Sequence, residues 1–103
     1  MSETVVMQRG ATERETCDLN GWGVGTVLRG HEQWRGGGAW TTIRITAIGE
    51  QLLLARCLRH EYHDAASRLV HDKVCDHGES TWTLSAREWS AVNAETARPS
   101  HEG

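Results

Sequence analysis

The stretch that decides the fold is residues 40–58, WTTIRITAIGEQLLLARCL. Its first half alternates between polar side chains such as Arg44 and apolar ones such as Ile43 and Ile45. This alternation is typical of a strand with one buried face. A Gly-Glu turn at 49–50 then leads into QLLLARCL, a second and more apolar strand. The stretch therefore predicts an antiparallel hairpin whose second strand is central in a sheet.

The segments before this hairpin predict further β structure. Asn20 and Gly21 indicate a turn, and residues 23–28 read as a strand that follows it. The next ten residues, HEQWRGGGAW, predict a polar loop around the three consecutive glycines at 36–38. Residues 1–18 predict an N-terminal arm or an edge strand.

The segment after the hairpin, RCLRHEYHDAASRLVHDKVCDHGES at 56–80, predicts an inserted helix. Its apolar side chains recur at three- and four-residue spacing, which is typical of one amphipathic helix around 61–73, within an insert of 60–78. A last strand is predicted in STWTLS at 80–85. The polar tail at 94–103 contains the single proline and predicts disorder.

These elements predict a mainly β architecture. A chain of 103 residues fits one domain with a modest core. Several short strands and glycine-rich turns indicate a single small β-barrel domain at 19–93. We expect an SH3-like barrel or a curled antiparallel sheet, with the helix inserted between the last strands.

Three motifs carry a resemblance to known proteins: ITAIGE at 45–50, LLAR at 53–56 and WTLSAREW at 82–89. In these motifs the chain resembles small phage- and prophage-encoded proteins that are similar to SH3-like barrels, most of which have no assigned activity. The resemblance implies a hairpin and the closing strand of a barrel, and it brings no catalytic residues. It also implies a location in the cytoplasm of a bacterial host.

The overall composition narrows the class of function. A net charge of -3 and a pI near 6.0 argue against a protein that coats nucleic acid, which needs a basic face. Three unevenly spaced cysteines do not form a disulfide framework, and we expect a reducing, cytoplasmic location. The start of the chain does not resemble a signal peptide, and no apolar run predicts a membrane span.

Two cysteines and two histidines at the ends of the insert are candidate metal ligands. They are Cys57, His60, Cys75 and His77. If the strands that flank the insert pair with each other, these side chains converge, and two sulfurs with two imidazoles suit tetrahedral zinc. The alternative is a solvated polar helix face with two ordinary thiols. The sequence thus predicts either no cofactor or one structural zinc.

Candidate partner-binding residues lie in the glycine-rich loop and on the polar face of the predicted helix. Trp and Arg are favoured at interface hot spots, and the chain has five Trp. Trp34 is the strongest candidate, because it lies among polar and glycine residues with no periodic pattern to bury it. The predicted contact residues are His31, Trp34, Arg35, Trp40, His63, Ser67 and His71.

Together these features predict a small non-catalytic binding module. With no catalytic motif, we expect no enzyme but a phage-type accessory or host-modulating protein that acts by protein–protein contact. One alternative is single-stranded nucleic-acid or nucleotide binding through Trp22, Trp34, Arg29 and Arg35, since small barrels stack bases on aromatic side chains. Another is a zinc-stabilised structural subunit of a larger assembly.

Overall fold

A computed structural model describes residues 7–75 and 78–92 of the chain. In chain order they form one helix and six strands: α1 (Glu13–Asn20), β1 (Val27–Trp34), β2 (Gly37–Ile48), β3 (Leu53–Asp64), β4 (Leu69–Val74), β5 (Glu79–Trp82) and β6 (Glu88–Val92). The strands make one antiparallel sheet in the order β4-β3-β2-β1-β6, and β5 also pairs with β3. The predicted mainly β class is confirmed.

The predicted hairpin is present as β2 and β3, the two longest strands. Ile43 and Ile45 are fully buried and Arg44 is exposed, as the alternation predicts. The turn is closed by the Gly49 amide, which donates to the Leu52 carbonyl at 2.9 Å. β3 lies between β2 on one side and β4 with β5 on the other, so its predicted central position is confirmed.

The sheet curls so that its two ends approach each other. β5 pairs with β3 and β6 pairs with β1, yet only residues 83–87 join β5 to β6. The rings of Trp82 and Trp89 pack edge to face, with their centroids 6.2 Å apart. Trp89 belongs to the core and is only 2% exposed. The sheet is open, because β5 and β6 do not pair in the described part of the chain. The SH3-like form of the barrel stays a prediction.

The predicted arm or edge strand over 1–18 is wrong in its described part, where α1 forms instead. Thr12 caps the helix by accepting a hydrogen bond from the Glu15 amide, while the Glu15 carboxylate accepts from the Ala11 amide. This arrangement is a variant of the capping box in which the carboxylate accepts from the residue before the cap, and Gly21 in the left-handed region ends the helix. Cys17 is fully buried, so α1 covers the core and belongs to the domain.

The predicted helix at 61–73 is also wrong. β3 continues to Asp64, a turn follows, and β4 returns along β3 from Leu69. The Asp64 carboxylate fixes the turn by accepting hydrogen bonds from the Ala66 and Arg68 amides, both at 2.9 Å. All six residues of β4 are exposed, so the apolar stripe has no core to pack against, and pairing with β3 prevails over the helical spacing.

The predicted polar loop at 31–40 is instead the end of β1 and the start of β2. Only Arg35 and Gly36 form the turn, with Gly36 at a φ of 92°. The sheet therefore extends well beyond the core. In this extension, called the ribbon below, β1 pairs with β2, β2 with β3 and β3 with β4. The predicted tail at 94–103 lies outside the described residues, and within the described ones no helix is long and apolar enough to cross a membrane.

Candidate metal centre and partner surface

Three of the four predicted metal ligands come together beside the core. The Sγ of Cys57 on β3 lies 2.8 Å from the Sγ of Cys75, which directly follows β4. The same Cys57 sulfur lies 3.3 Å from the Nε2 of His60. The ligand atoms of all three side chains lie within 4.8 Å of one another, close enough to hold one metal ion. The fourth predicted ligand, His77, lies outside the described residues.

An irregularity in β3 places Cys57 and His60 on the same side of the sheet. Residues three apart in a regular strand point to opposite faces. Here Thr42 pairs with Arg59 but Ile43 pairs with Cys57, so β3 contains one extra residue. Such a bulge shifts the alternation by one position and turns both ligands toward the core side. Cys75 joins them because its amide donates to the Leu58 carbonyl at 2.9 Å.

The surroundings of the cluster favour a neutral Cys57 thiol and a fixed imidazole. Burial, followed by the hydrogen bond with Cys75, raises the pKa of Cys57 to about 12. The thiol must therefore lose a proton when a metal binds. The Thr41 hydroxyl lies 3.2 Å from Nδ1 of His60, which leaves Nε2 directed at the sulfur. A contact to the second ring nitrogen is the usual way a metal-ligating histidine is oriented.

Four of the seven predicted partner residues line one cavity of about 390 Å³ on the other side of the sheet. They are His31, Trp40, His63 and Ser67. Strand pairing explains this grouping, because His31 pairs with Trp40 and Trp40 with Glu61. Paired residues in neighbouring strands project on the same face. The exposed side chain of Leu69 on β4 completes one wall.

The floor of the cavity is a network of charges and rings. The guanidinium carbon of Arg29 lies 4.1 Å from the centroid of the Trp40 ring. The same guanidinium donates a hydrogen bond to the Glu61 carboxylate at 3.1 Å. Glu61 also contacts Arg59, which donates two hydrogen bonds to Asp72 on β4. These hydrogen bonds from Arg59 lower the pKa of Asp72. The network links side chains of four strands and reaches the cavity at Trp40 and Glu61.

The other three predicted partner residues lie away from this cavity. Trp34 is 45% exposed, and its ring centroid lies 6.4 Å from that of Tyr62. The ring centroids of Tyr62 and His71 are 5.8 Å apart. In β1 the side chains of Trp34 and His31 point to opposite faces, so this aromatic row is on the reverse side of the ribbon. Arg35 is exposed in the turn between β1 and β2.

The structure also separates the four residues predicted for nucleic-acid stacking. Trp22 packs against the core, and Arg29 is engaged with Trp40 and Glu61. Sequence reasoning missed Glu61, Gln33 and Leu69 as cavity residues. The period-two alternation across residues 59–63 could have revealed Glu61, had that segment been read as a strand.

Most of the chain matches the model of one protein family. The match covers residues 11–94, a range that includes α1, all six strands, the three clustered candidate ligands and the cavity. No curated protein and no solved structure matches the chain. Because the family model spans most of its length, the chain belongs to the family described as a domain of unknown function, DUF7241.

Proposed function

We propose that the domain is a non-catalytic binding module that contacts a protein partner through the cavity between β1, β3 and the turn before β4. The observation that carries this proposal is the meeting of His31, Trp40, His63 and Ser67 in one concavity. The sequence predicts these same side chains for partner contact. An aromatic ring set among a few polar groups is typical of a recognition pocket.

The neighbouring strand supports a protein rather than a small molecule as the partner. β4 pairs with β3 alone in the described part of the chain, so its second edge offers free backbone groups. It also exposes large apolar side chains: Leu69 is 57% exposed, Val70 63% and Val74 59%. An exposed strand edge can accept a strand from another chain, and side-chain pockets beside it then supply specificity.

Site-specific photocrosslinking tests the partner surface. A benzophenone amino acid at Leu69 should trap a protein in an extract of the source cells, and mass spectrometry should identify the adduct. The same group at Val24, which is 69% exposed and lies between α1 and β1, is the matched control. We expect an adduct specific to Leu69. Identical adducts at both positions, or none at Leu69, would overturn the proposal.

A second candidate function follows from the Cys/His cluster: a zinc-stabilised structural subunit. Two sulfurs and one imidazole suit Zn²⁺, which prefers four ligands of this kind in structural sites. We propose that Cys57, His60 and Cys75 hold one zinc, with His77 or a water molecule as the fourth ligand. The ion would tie the end of β4 to β3, which matters because none of the β4 side chains is buried.

Native mass spectrometry tests the zinc proposal directly. Protein purified without chelator or affinity tag should carry one zinc per chain, and Cys57→Ser should lose it. His71→Asn is the matched control, because it removes an exposed imidazole of β4 that is not in the cluster. The control should keep the ion. A wild-type chain at its sequence mass would refute the assignment.

A further inference from the structure

Two histidines of the cavity wall meet end to end across β2. The Nε2 atoms of His31 and His63 lie 2.7 Å apart, the ring centroids are 5.0 Å apart and the ring planes differ by 7°. The separation is short and the rings share nearly one plane, so the two nitrogens face each other directly. This is the geometry of a single N–H···N hydrogen bond.

The same geometry excludes a metal ion between the two rings. Metal–nitrogen bonds are about 2.0–2.1 Å long, so an ion on the line between the nitrogens requires them to be about 4 Å apart. The observed 2.7 Å leaves room for one proton. The pair is therefore a proton-sharing site.

The backbone of β3 determines which histidine donates. Nδ1 of His63 lies 2.9 Å from the Asp64 carbonyl oxygen, which can only accept, so Nδ1 carries the proton. A neutral imidazole has one N–H, and Nε2 of His63 is then the acceptor. His31 donates from its own Nε2. One added proton can go to Nδ1 of His31 and leave the bond intact, whereas a second must go to Nε2 of His63 and break it.

The link depends on a glycine in the strand that it crosses. A Cβ at Gly38 would lie 2.9 Å from Nε2 of His63, so only glycine leaves room for the ring to reach His31. The rings also touch the aromatic floor, since the His31 and Trp40 centroids are 4.5 Å apart. Opening the link would therefore change the shape of the cavity wall.

The charged groups around the pair come from three strands and one turn. Arg29 is on β1, Glu61 on β3 and Asp64 at the turn, and Glu88 on β6 pairs with His31 in register while its carboxylate binds Arg9. Burial, then the nearby His63 and Arg29, lower the pKa of His31. Adding a proton to the second ring is less favourable than adding one to the first, because two cations would then face each other.

We propose that the His31–His63 pair is a proton-controlled clasp on the cavity, closed when the pair carries no extra proton or one, and open when it carries two. This inference rests on the proposed function, because it makes contact with the protein partner depend on pH. Acidification breaks the direct side-chain bond between His31 on β1 and His63 on β3, whereas the Arg29–Glu61 contact also joins these two strands.

Long-range ¹H–¹⁵N NMR of the histidine rings tests the clasp in the full chain. At pH 8 we expect His63 to show the Nδ1–H tautomer, and as the pH falls we expect the ring signals of both histidines to change together in two steps. A His63 ring protonated at Nε2 at pH 8, or two independent single-step curves, would overturn the proposal.

A variant separates the clasp from the partner surface. In His31→Gln the side-chain amide can donate to neutral His63 or accept from charged His63, so the link persists at both pH values. The protection factors of the Gly38 and Trp40 amides, which correct for the pH dependence of intrinsic exchange, should fall about fivefold in acid in the wild type, since a hydrogen bond is lost. They should not change in the variant. An equal fall in the protection factors of both chains would refute the clasp, whether or not a partner is found.

The photocrosslinking yield completes the test. If the partner trapped at Leu69 crosslinks equally well above and below the second titration step, the regulatory role is refuted while the partner surface stands. If the yield changes in the wild type and not in His31→Gln, the clasp controls the surface. The NMR result does not depend on a partner, so failure of the clasp and failure of the partner surface are distinguishable.

Discussion

Gly30→Ala is expected to destabilise the fold by crowding the core tryptophan. Gly30 on β1 pairs with Trp89 on β6, and a Cβ at position 30 would lie 2.7 Å from Cε3 and 2.8 Å from Cδ2 of that ring. The ring cannot move away easily, because Trp89 is 2% exposed and meets Trp82 edge to face. The strand backbone at Gly30 has no positive φ, so the clash is purely steric.

The size of the effect follows from two opposing terms. Overpacking a core costs roughly 1–3 kcal/mol, whereas replacing glycine by alanine at a compatible backbone contributes about 0.4–1 kcal/mol of stability. We expect a net loss of about 1–2 kcal/mol in the free energy of unfolding. For a domain of this size, each kcal/mol lowers Tm by roughly 4–8 °C.

Urea and thermal denaturation, followed by circular dichroism, measure this loss. Gly23→Ala is the control, because a Cβ there would meet no atom within 4 Å and the position has no positive φ. The control should be as stable as the wild type or slightly more so. If Gly30→Ala matched the control, the Trp89 ring could not lie over Gly30, and the closure of the core by this ring would be refuted.

Two further predictions concern the ion pair and the metal. Asp72→Asn should lower the free energy of unfolding at pH 7 by roughly 0.5–1 kcal/mol, because Arg59 donates two hydrogen bonds to this partly exposed carboxylate. Those bonds lower the pKa of Asp72, so the stabilisation is present above the unfolded pKa of about 3.9 and lost as pH falls through the lower folded value. Urea curves of variant and wild type should therefore converge in strong acid, and a constant difference would contradict the ion pair. Removing zinc with a chelator should lower the free energy of unfolding of the wild type by about 2.7 kcal/mol, compared with the same protein in free zinc at 100 times its Kd. The same treatment should leave the stability of Cys57→Ser unchanged in a thermal shift assay. An equal shift in both proteins would contradict the zinc site.

The hairpin could be predicted from sequence because its pattern and its burial agree. Ile43 and Ile45 alternate with Arg44, and the sheet buries the first two and exposes the third. The helix α1 could also have been predicted, since Thr12 and Glu15 have capping-box spacing and Gly21 follows the last turn. Its short length and polar composition concealed it, because amphipathic periodicity needs more than two turns to be visible.

The segment at 61–73 could not be assigned from its spacing alone. Its apolar residues fit a helix, yet Leu69 and Val70 are more than half exposed, so their spacing reflects no packing at all. What determines the structure is non-local: β2 offers β3 a partner along its full length, and the Asp64 turn returns the chain. The sequence predicts that strands flanking an insert bring Cys57 and Cys75 together, whereas the pairing of β3 with β4 produces this approach.

The proposed metal centre and the proposed partner surface are linked through β4, although they lie on opposite faces of the sheet. Cys75 follows the last residue of β4, and Leu69, its first residue, is in the wall of the cavity. No side chain between them is buried, so β4 is held by its pairing with β3 and by the Arg59–Asp72 contact. A strand with no buried side chain belongs to the less stable part of a fold. An ion at Cys75 would fix one end of β4, and the Asp64 turn fixes the other. Together they would reduce the ordering that a partner at Leu69 would otherwise have to impose.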